Sequence, residues 1–216
     1  LHTEENIQAK VILRPQTTEE LSKILSACHE SNQLIVVHGG LTGLVYGTRS
    51  TQDQLVISLE RMNQIEDVDL IGRTITCQSG TTLQTIQELA EENNMMFPLD
   101  LGARGSCSIG GNIATNAGGN RVIRYGMMRD SVLGLEAVLA DGTVLTSMNT
   151  MIKNNAGYDL KQLFIGTEGT LGIITRCVLR LREAPLSQNT GLVALENLDS
   201  VIRFLKIVDS KLGGNM

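Results

Sequence analysis

The position of its glycines is the feature that most restricts how this chain can fold. Fifteen of the 22 glycines in 216 residues fall in three windows, residues 39–47, 102–126 and 157–172. Glycine permits left-handed backbone and close approach of main chains, which other residues resist. The windows also contain Leu, Ile, Thr and Asn, unlike a flexible Gly/Ser linker. We therefore expect three loops that closely approach another chain segment or a ligand.

Composition excludes several classes of protein. The net charge is −5 and there is no run of basic residues, so the electrostatic signature of a nucleic-acid binder is missing. No apolar run approaches the roughly 20 residues of a membrane span. The four cysteines are widely separated and lack zinc-ligand spacing, so we expect reduced thiols, with a disulfide pair left open. A globular domain, or two small ones, is expected.

Hydrophobic periodicity and capping residues predict alternating strands and helices. Capping boxes, Thr17 with Glu20 and Thr81 with Gln84, each precede an apolar stripe of helical period. Asp141-Gly142 is typical of a hairpin turn. Apolar runs predict strands at residues 34–37, 55–59, 73–78, 132–139, 143–145, 172–181 and 192–195.

The last part of the chain has a different composition. Pro185 follows a predicted strand and marks a candidate domain boundary. Residues 197–212 predict an amphipathic helix with its apolar stripe in a core and Gly213 as C-cap. The chain begins without Met and ends just after this helix, so we expect a fragment of a longer polypeptide.

The first glycine window follows a predicted strand directly, as Gly39-Gly40-Leu41-Thr42-Gly43. Such a loop exposes main-chain N–H groups and suits a pyrophosphate. An NAD-binding Rossmann site has its glycines in another order, although Glu60 stands at a suitable spacing for its acidic residue. A P-loop requires Gly-Lys-Ser/Thr, and no lysine occurs between residues 24 and 152. Both of these phosphate motifs are therefore disfavoured.

The second window is more specific. From Pro98 to Gly119 glycine alternates with Ser, Thr and Asn, a pattern that could wrap an elongated ligand with main-chain and short polar hydrogen bonds. Within it, Cys107 is expected to pack inertly. Arg121, Arg124 and Arg129 could bind a carboxylate or phosphate, or equally form surface ion pairs.

Three segments carry a resemblance to a known family: residues 98–119, 132–142 and 157–175. The chain resembles the FAD-binding domain of vanillyl-alcohol-oxidase-type (PCMH-type) flavoenzymes, from about Val11 to Leu181. Within that family it is most similar to the branch that oxidises D-2-hydroxy acids. The resemblance implies an α+β fold of two subdomains, residues 1–70 and 71–184, that enclose an extended FAD, with residues 185–216 beginning a substrate (cap) domain.

The resemblance also implies which residues bind FAD. Loop 39–43 would hold the pyrophosphate, residues 98–101 and 106–119 would line the flavin and ribityl chain, and residues 168–174 would close over the adenine side. The implied cofactor residues are Gly39, Gly40, Leu41, Thr42, Gly43, Leu44, Pro98, Leu99, Asp100, Leu101, Ser106, Ile109, Gly110, Gly111, Asn112, Thr115, Asn116, Gly118, Gly119, Gly126, Glu168, Gly169, Gly172, Ile173 and Ile174.

The chain departs from the family at two loop positions. Relatives usually have Pro-Gln-Gly-Gly-Asn-Thr-Gly where this chain has Val37-His38-Gly39-Gly40-Leu41-Thr42-Gly43, and Tyr46 replaces an expected glycine. Leu41 occupies the position of the flavin-linked histidine in covalent members, so we expect non-covalent FAD. His38 could contact phosphate or flavin, but a structural role is at least as well supported.

The activity implied is oxidation of a D-2-hydroxy acid, best D-2-hydroxyglutarate, with D-lactate or glycolate as alternatives. A non-catalytic FAD-binding module completed by a partner chain also stays open. We find no catalytic residue and no metal ligand set in the chain itself. The resemblance implies that these groups, including a zinc site, lie beyond Met216, that electrons pass to an electron-transfer flavoprotein or a quinone, and that a homodimer can form. Location would be cytoplasmic in a bacterium and the mitochondrial matrix in a eukaryote.

Overall fold

The computed structural model describes residues 7–212, which begin with a small parallel sheet. Strands β1 (Ile12–Leu13), β2 (Ile35–His38) and β3 (Leu55–Ser58) pair in the order β1-β3-β2. Helix α1 (Thr18–Glu30) starts where predicted, because the Thr17 hydroxyl accepts from the amide of Glu20. The carboxylate of Glu20 accepts in turn from the amide of Gln16, one residue before the cap.

A five-stranded antiparallel sheet forms the second unit. Its order is β4 (Ile65–Asp69), β5 (Thr74–Gln78), β9 (Ile173–Arg180), β7 (Val132–Val138) and β8 (Val144–Ser147). Four of its strands were predicted. The predicted Asp141-Gly142 hairpin is confirmed, because the strands at residues 132–138 and 144–147 pair in antiparallel fashion. The unpredicted strand, β4, has a register shift after Ile65 that breaks its alternation of apolar and polar residues.

Two details around helix α2 (Leu83–Glu92) differ from expectation. Its N-cap is Thr82, whose hydroxyl accepts from the amide of Thr85, so the predicted Thr81 cap was wrong by one residue. The chain after the helix forms β6 (Met95–Met96), which pairs with β10 (Arg182–Glu183) along the edge of the second unit.

The second glycine window is more ordered than the loop we predicted. Helix α3 (Ile109–Ala114) lies inside it, capped by the Ser108 hydroxyl. Two consecutive glycines concealed this helix, because glycine has low helix propensity. The short helices α4 (Val122–Tyr125) and α5 (Lys161–Phe164) follow later in the chain, together with a 3₁₀ turn at Met128–Ser131.

The two units share a core. A small apolar cluster joins Leu21 and Leu25 of α1 and Ile57 of β3 to Val138 of β7 and Ile173 of β9. Since β4 pairs with β5, the change from one sheet to the other falls between β3 and β4. The first unit therefore depends on the second for part of its hydrophobic burial.

A buried carboxylate reinforces this junction. Glu136 accepts hydrogen bonds from the hydroxyls of Thr18, at 2.7 Å, and Thr175, at 2.8 Å. Arg176 donates to Glu136 at 3.3 Å and pairs with Glu66 at 2.6 Å. A buried charge is tolerated only when it is compensated in this way, so the network ties α1 to the second sheet.

The C-terminal region does not join the core. The strand expected at residues 192–195 does not form, and residues 186–199 are exposed. Helix α6 (Leu198–Leu212) is amphipathic as predicted, but none of its described residues is buried, so the expected core contact of its stripe was wrong. The Gly213 cap lies outside the described residues. In residues 7–212 no helix is sufficiently long and apolar to span a bilayer.

Candidate cofactor-binding site

A cleft lies between the parallel sheet and the five-stranded sheet. Its cavity volume is about 180 Å³, and the cleft opens to solvent. Its walls come from the loop after β2, from helix α3 and from the segment that leads into β9. Each of these walls contains part of one of the three glycine windows that the sequence predicted to approach a ligand.

The loop after β2 supplies main-chain N–H groups. Among residues 7–212, we find no hydrogen-bond acceptor for the amides of residues 39–43. Five successive unpaired amides at the wall of a cleft can receive an anion. This property satisfies the first requirement of a pyrophosphate site.

Close approach explains two of the loop's glycines. A Cβ on Gly40 would overlap the carbonyl of Ser106 and lie 2.7 Å from the Cα of Cys107. A Cβ on Gly39 would lie 2.5 Å from the Ser108 hydroxyl. Only glycine therefore lets the first two walls of the cleft meet.

Helix α3 makes the second wall rigid. The amide of Gly110 donates to the carbonyl of Ser79 at 2.7 Å, and its Cα packs so closely that a Cβ would lie 2.5 Å from the Ser79 Cβ. The amide of Asn112 donates to the carbonyl of Ser108. This wall has its own hydrogen bonds and is buried over most of its length.

The third glycine window is attached to the second wall. The amide of Glu168 donates to the carbonyl of Ala114 at 2.8 Å, and that of Gly166 donates to the carbonyl of Ile113 at 3.2 Å. On its other side the window packs against β2, because a Cβ on Gly169 would lie 3.8 Å from Cγ2 of Val37. All three glycine windows therefore converge.

About half of the expected cofactor residues line this cleft. They are Gly39, Gly40, Leu41, Thr42, Gly43, Gly110, Gly111, Thr115, Glu168, Gly169, Gly172, Ile173 and Ile174. Ser106 lies beside it, in a neighbouring groove of about 480 Å³ that also includes Gly39 to Leu41, Glu60 and Thr81.

The other expected residues do not line the cleft. Ile109 and Leu99 are in the core, and the Asn112 side chain donates to the Cys107 sulfur at 3.6 Å. The carbonyl of Asp100 packs against Gly119, where an added Cβ would lie 2.3 Å from the Asp100 carbonyl oxygen. Gly119 also has a left-handed backbone, with φ +70. The residues outside the cleft are Leu44, Pro98, Leu99, Asp100, Leu101, Ile109, Asn112, Asn116, Gly118, Gly119 and Gly126.

Sequence reasoning missed several lining residues next to the first loop. Val37 lies on β2, Leu59 follows β3, and Val45, Gly47 and Thr48 continue the loop. Parallel strands of an α/β-type unit place their C-terminal ends at one edge, where ligands bind. That rule applied to β2 and β3 would have identified Val37 and Leu59.

His38 and Cys107 have structural surroundings. The His38 ring is buried, with Nε2 2.9 Å from the carbonyl oxygen of Thr48, so it connects the two ends of the loop. Cys107 is 2% exposed, and burial raises the pKa of its thiol. A raised pKa keeps the thiol protonated and unreactive, in accord with the expected inert packing.

The three arginines do not act as one cluster. Arg129 donates to the side chain of Gln162 and, at 3.1 Å, to the carbonyl of Ile165. Arg121 contacts the sulfur of Met96 at 3.4 Å, and Arg124 lies over the Tyr125 ring. In residues 7–212 no group of three His, Cys, Asp or Glu side chains could hold a metal ion.

The two departures from the family pattern share a backbone conformation. Leu41 has φ +55 and Tyr46 has φ +60. This left-handed region favours glycine and asparagine, the residues that relatives use there. Both loop positions therefore hold a backbone conformation that their own side chains do not favour.

The structure has two α+β units with a glycine-rich cleft between them. Residues 9–147 match the sequence pattern of the FAD binding domain family. The chain belongs to this family, and FAD is its cofactor class. The expected PCMH-type fold is confirmed.

Curated proteins of similar sequence include D-2-hydroxyglutarate dehydrogenases from several organisms. D-2-hydroxyglutarate dehydrogenase of Bos taurus mitochondria is 45% identical over 205 residues, which is 95% of this chain and 38% of that protein. Its Danio rerio counterpart is 46% identical over 94% of this chain and 38% of the relative. A mitochondrial protein of Schizosaccharomyces pombe, whose name proposes D-lactate dehydrogenase activity, is 43% identical over 91% of this chain and 37% of the relative. The chain thus spans about 38% of the length of such relatives.

Solved structures show the same fold. Alkyldihydroxyacetonephosphate synthase is 25% identical, with a TM-score of 0.72, over 82% of this chain and 32% of that chain. A second crystal form of that enzyme gives a TM-score of 0.71.

Proposed function

We propose that this chain holds an extended, non-covalent FAD in the cleft. The observation that carries the proposal is the row of amides at residues 39–43, which have no acceptor among residues 7–212 and line the same cleft as the glycine-rich helix α3. These amides would donate to the pyrophosphate oxygens, and the absence of a Cβ at Gly39 and Gly40 lets the loop pack against residues 106–108 of the second wall.

The remaining contacts follow from the same orientation. Residues 168–174 would lie against the adenine side, and residues 106–119, with 98–101 behind them, would support the ribityl chain and flavin. Leu41 offers no nucleophilic atom for a flavin linkage, so the cofactor would be held by hydrogen bonds and packing alone. Two subdomains and a following substrate domain from residue 185 remain part of this proposal.

The proposed reaction is the oxidation of a D-2-hydroxy acid to the 2-oxo acid, with D-2-hydroxyglutarate as the best substrate. Bound FAD supplies the acceptor for the hydride that leaves the carbon bearing the hydroxyl. In this scheme the chain's own residues bind and orient the cofactor. The cleft is lined mainly by glycine and apolar residues, with no histidine among them, so we propose that the proton acceptor and any zinc site belong to another part of the protein.

A D-lactate or glycolate oxidising subunit is the second candidate, supported by the Schizosaccharomyces pombe relative. A non-catalytic FAD-binding module completed by a partner chain is the third. For each enzyme we propose an electron-transfer flavoprotein or a quinone as electron acceptor and a homodimeric state. The mitochondrial names of eukaryotic relatives support a mitochondrial location if the source is a eukaryote. For a bacterial source we propose a cytoplasmic location.

Titration with FAD tests the binding proposal. We expect the chain to take up one FAD per molecule and to release it, free of protein, on acid precipitation. Flavin that stays attached to the precipitate would contradict non-covalent binding, and stabilisation by NAD without flavin uptake would contradict the cofactor assignment.

Substrate addition tests the reaction. The protein expressed from its complete gene, loaded with FAD and kept without oxygen, should lose its visible flavin absorbance with D-2-hydroxyglutarate and not with the L-enantiomer. Faster bleaching by D-lactate or glycolate would favour the second candidate.

A further inference from the structure

Two of the four cysteines lie side by side in the five-stranded sheet. Cys77 on β5 and Cys177 on β9 are register partners, and their sulfur atoms are 3.7 Å apart. Both side chains are completely buried, and both thiols are free. Sequence spacing left a disulfide pair open, and the fold brings together two cysteines that are 100 residues apart in the chain.

The backbone spacing of these two strands suits a disulfide. The amide of Ser79 donates to the carbonyl of Thr175 at 2.8 Å, two residues further along the same ladder. Since hydrogen-bonded pairs alternate along an antiparallel ladder, Cys77 and Cys177 also form a hydrogen-bonded pair, with Cα atoms about 5.5 Å apart. Disulfides join Cα atoms that are roughly 4.4–6.8 Å apart. The two sulfurs need to approach by about 1.7 Å to bond, and side-chain rotation supplies such a movement.

The other two cysteines have no such neighbour. Within residues 7–212, neither Cys28 nor Cys107 is hydrogen-bonded to another cysteine. Cys28 lies on α1 in the first unit, and the sulfur of Cys107 accepts from the side chain of Asn112. In this part of the chain, an oxidant that acts on the folded protein therefore meets one pair of thiols that it can join.

Burial restricts which oxidant reaches the pair. The hydrogen bond with Cys77 raises the pKa of the Cys177 thiol, and burial raises it further, so this thiol stays protonated while the strands are closed. Reaction therefore requires a local opening of the sheet and an oxidant little larger than water. Hydrogen peroxide is such an oxidant, whereas a bulky disulfide requires a much wider opening.

We propose that Cys77 and Cys177 form a redox-sensitive dithiol, which a small peroxide converts reversibly into a disulfide between β5 and β9. Hydrogen peroxide oxidises one thiol to a sulfenic acid, and its O–O bond breaks with release of one water. The second thiol attacks the sulfenic sulfur, so that the S–S bond forms and the S–O bond breaks with release of another water. The two thiols thus lose two hydrogens, and one peroxide becomes two waters. A dithiol reductant reverses the oxidation by thiol–disulfide exchange.

The disulfide would join the two strands that lead to two walls of the cleft. Ile173 and Ile174, at the start of β9, line the cleft, and Ser79, directly after β5, accepts from the amide of Gly110 in α3. A covalent link that closes a loop of 100 residues restricts the separation of these strands. We therefore expect the oxidised protein to be more stable than the reduced protein.

Peptide mapping tests the proposal on the protein expressed from its complete gene. The folded protein is treated with hydrogen peroxide, and the remaining thiols are blocked with N-ethylmaleimide during denaturation. Trypsin leaves Cys77 in the peptide of residues 74–104 and Cys177 in that of residues 177–180, and neither peptide contains another cysteine. We expect these two peptides to be linked, with the loss of two hydrogens, and to separate after treatment with dithiothreitol.

Variants and thermal melting complete the test. Cys28→Ala is the matched control and should form the linked peptide as the wild type does, whereas Cys177→Ala should not form it. Peroxide should raise the Tm of the wild type by about 5 °C and leave that of Cys177→Ala unchanged. If Cys177→Ala fails to fold, Cys77→Ala replaces it, and the peptide result for the wild type needs neither variant.

Three results would overturn the inference. If the folded protein yields Cys77 and Cys177 only in separate peptides, blocked or as sulfinic acids, the pair is not a reversible dithiol. If links to Cys28 or Cys107 are equally abundant, peroxide acts on unfolded chains and not on this pair. If the linked protein melts at or below the Tm of the reduced protein, the disulfide does not hold the two strands together.

Discussion

The two facing walls of the cleft are built in opposite ways. Helix α3 is capped by Ser108, bonded to Ser79 and Ser108 through its own amides and largely buried. The loop of residues 39–48 has unpaired amides at its start, exposed residues in its middle, and a His38–Thr48 contact that connects its ends.

This difference indicates that the two walls of the cleft have different roles in folding and in binding. A wall with complete internal hydrogen bonding is in place before a ligand arrives and costs little ordering on binding. A loop without such bonds has low local stability and gains partners only from the ligand. We therefore expect changes in α3 to affect folding and changes in the loop to affect cofactor affinity.

The largest effect is expected where the walls meet. Gly40→Ala should weaken FAD binding about 100-fold, or ~3 kcal/mol, because the added methyl overlaps the main chain at Ser106 and forces the loop outward. FAD titration measures it. Gly191→Ala, outside the cleft and with no atom within 4 Å of the added Cβ, should change the affinity less than twofold. Equal effects of the two variants would contradict the close approach.

A change inside the rigid wall should act on folding. Gly110→Ala should lower the free energy of unfolding by about 2 kcal/mol, because its Cβ would lie 2.5 Å from that of Ser79 in the core. Urea denaturation without FAD gives this value. Gly102→Ala, with nothing within 4 Å, is the control. An unchanged unfolding free energy for Gly110→Ala would show that α3 is not the rigid wall.

The smallest effect concerns backbone strain in the loop. Leu41→Asn should raise the free energy of unfolding by about 0.5–1 kcal/mol, because asparagine adopts the left-handed conformation at lower cost. Leu44→Asn introduces the same residue at an exposed loop position without positive φ and should have no such effect. Destabilisation by Leu41→Asn would mean that Leu41 packing outweighs its strain.

Much of the fold could be predicted because capping and alternation are local signals. Thr17, the Asp141-Gly142 hairpin and the long strands of the second sheet all follow from such signals. Helix α3 was missed because its two glycines oppose helix propensity, and it is stabilised by tertiary contacts, including hydrogen bonds with Ser79 and Thr81 and the burial of Ile109 in the core. The stripe of α6 was assigned to the core because amphipathicity indicates a buried face without indicating which partner buries it.

The site was predictable in part for a similar reason. Clustered glycines identified the segments that meet, but glycine spacing cannot show which residue of a segment faces the cleft. Leu99 and Ile109 therefore belong to the core, whereas Val37 and Leu59 line the cleft through the positions of their strands.

Amide hydrogen exchange with and without FAD tests the central claim most directly. Without ligand, the amides of residues 39–43 should exchange rapidly and those of residues 110–113 slowly, since only the latter have internal acceptors. FAD should slow exchange in residues 39–43 and at 168–174 by at least about tenfold. Protection confined to the neighbouring groove around Glu60 and Thr82, with residues 39–43 unchanged, would contradict the account.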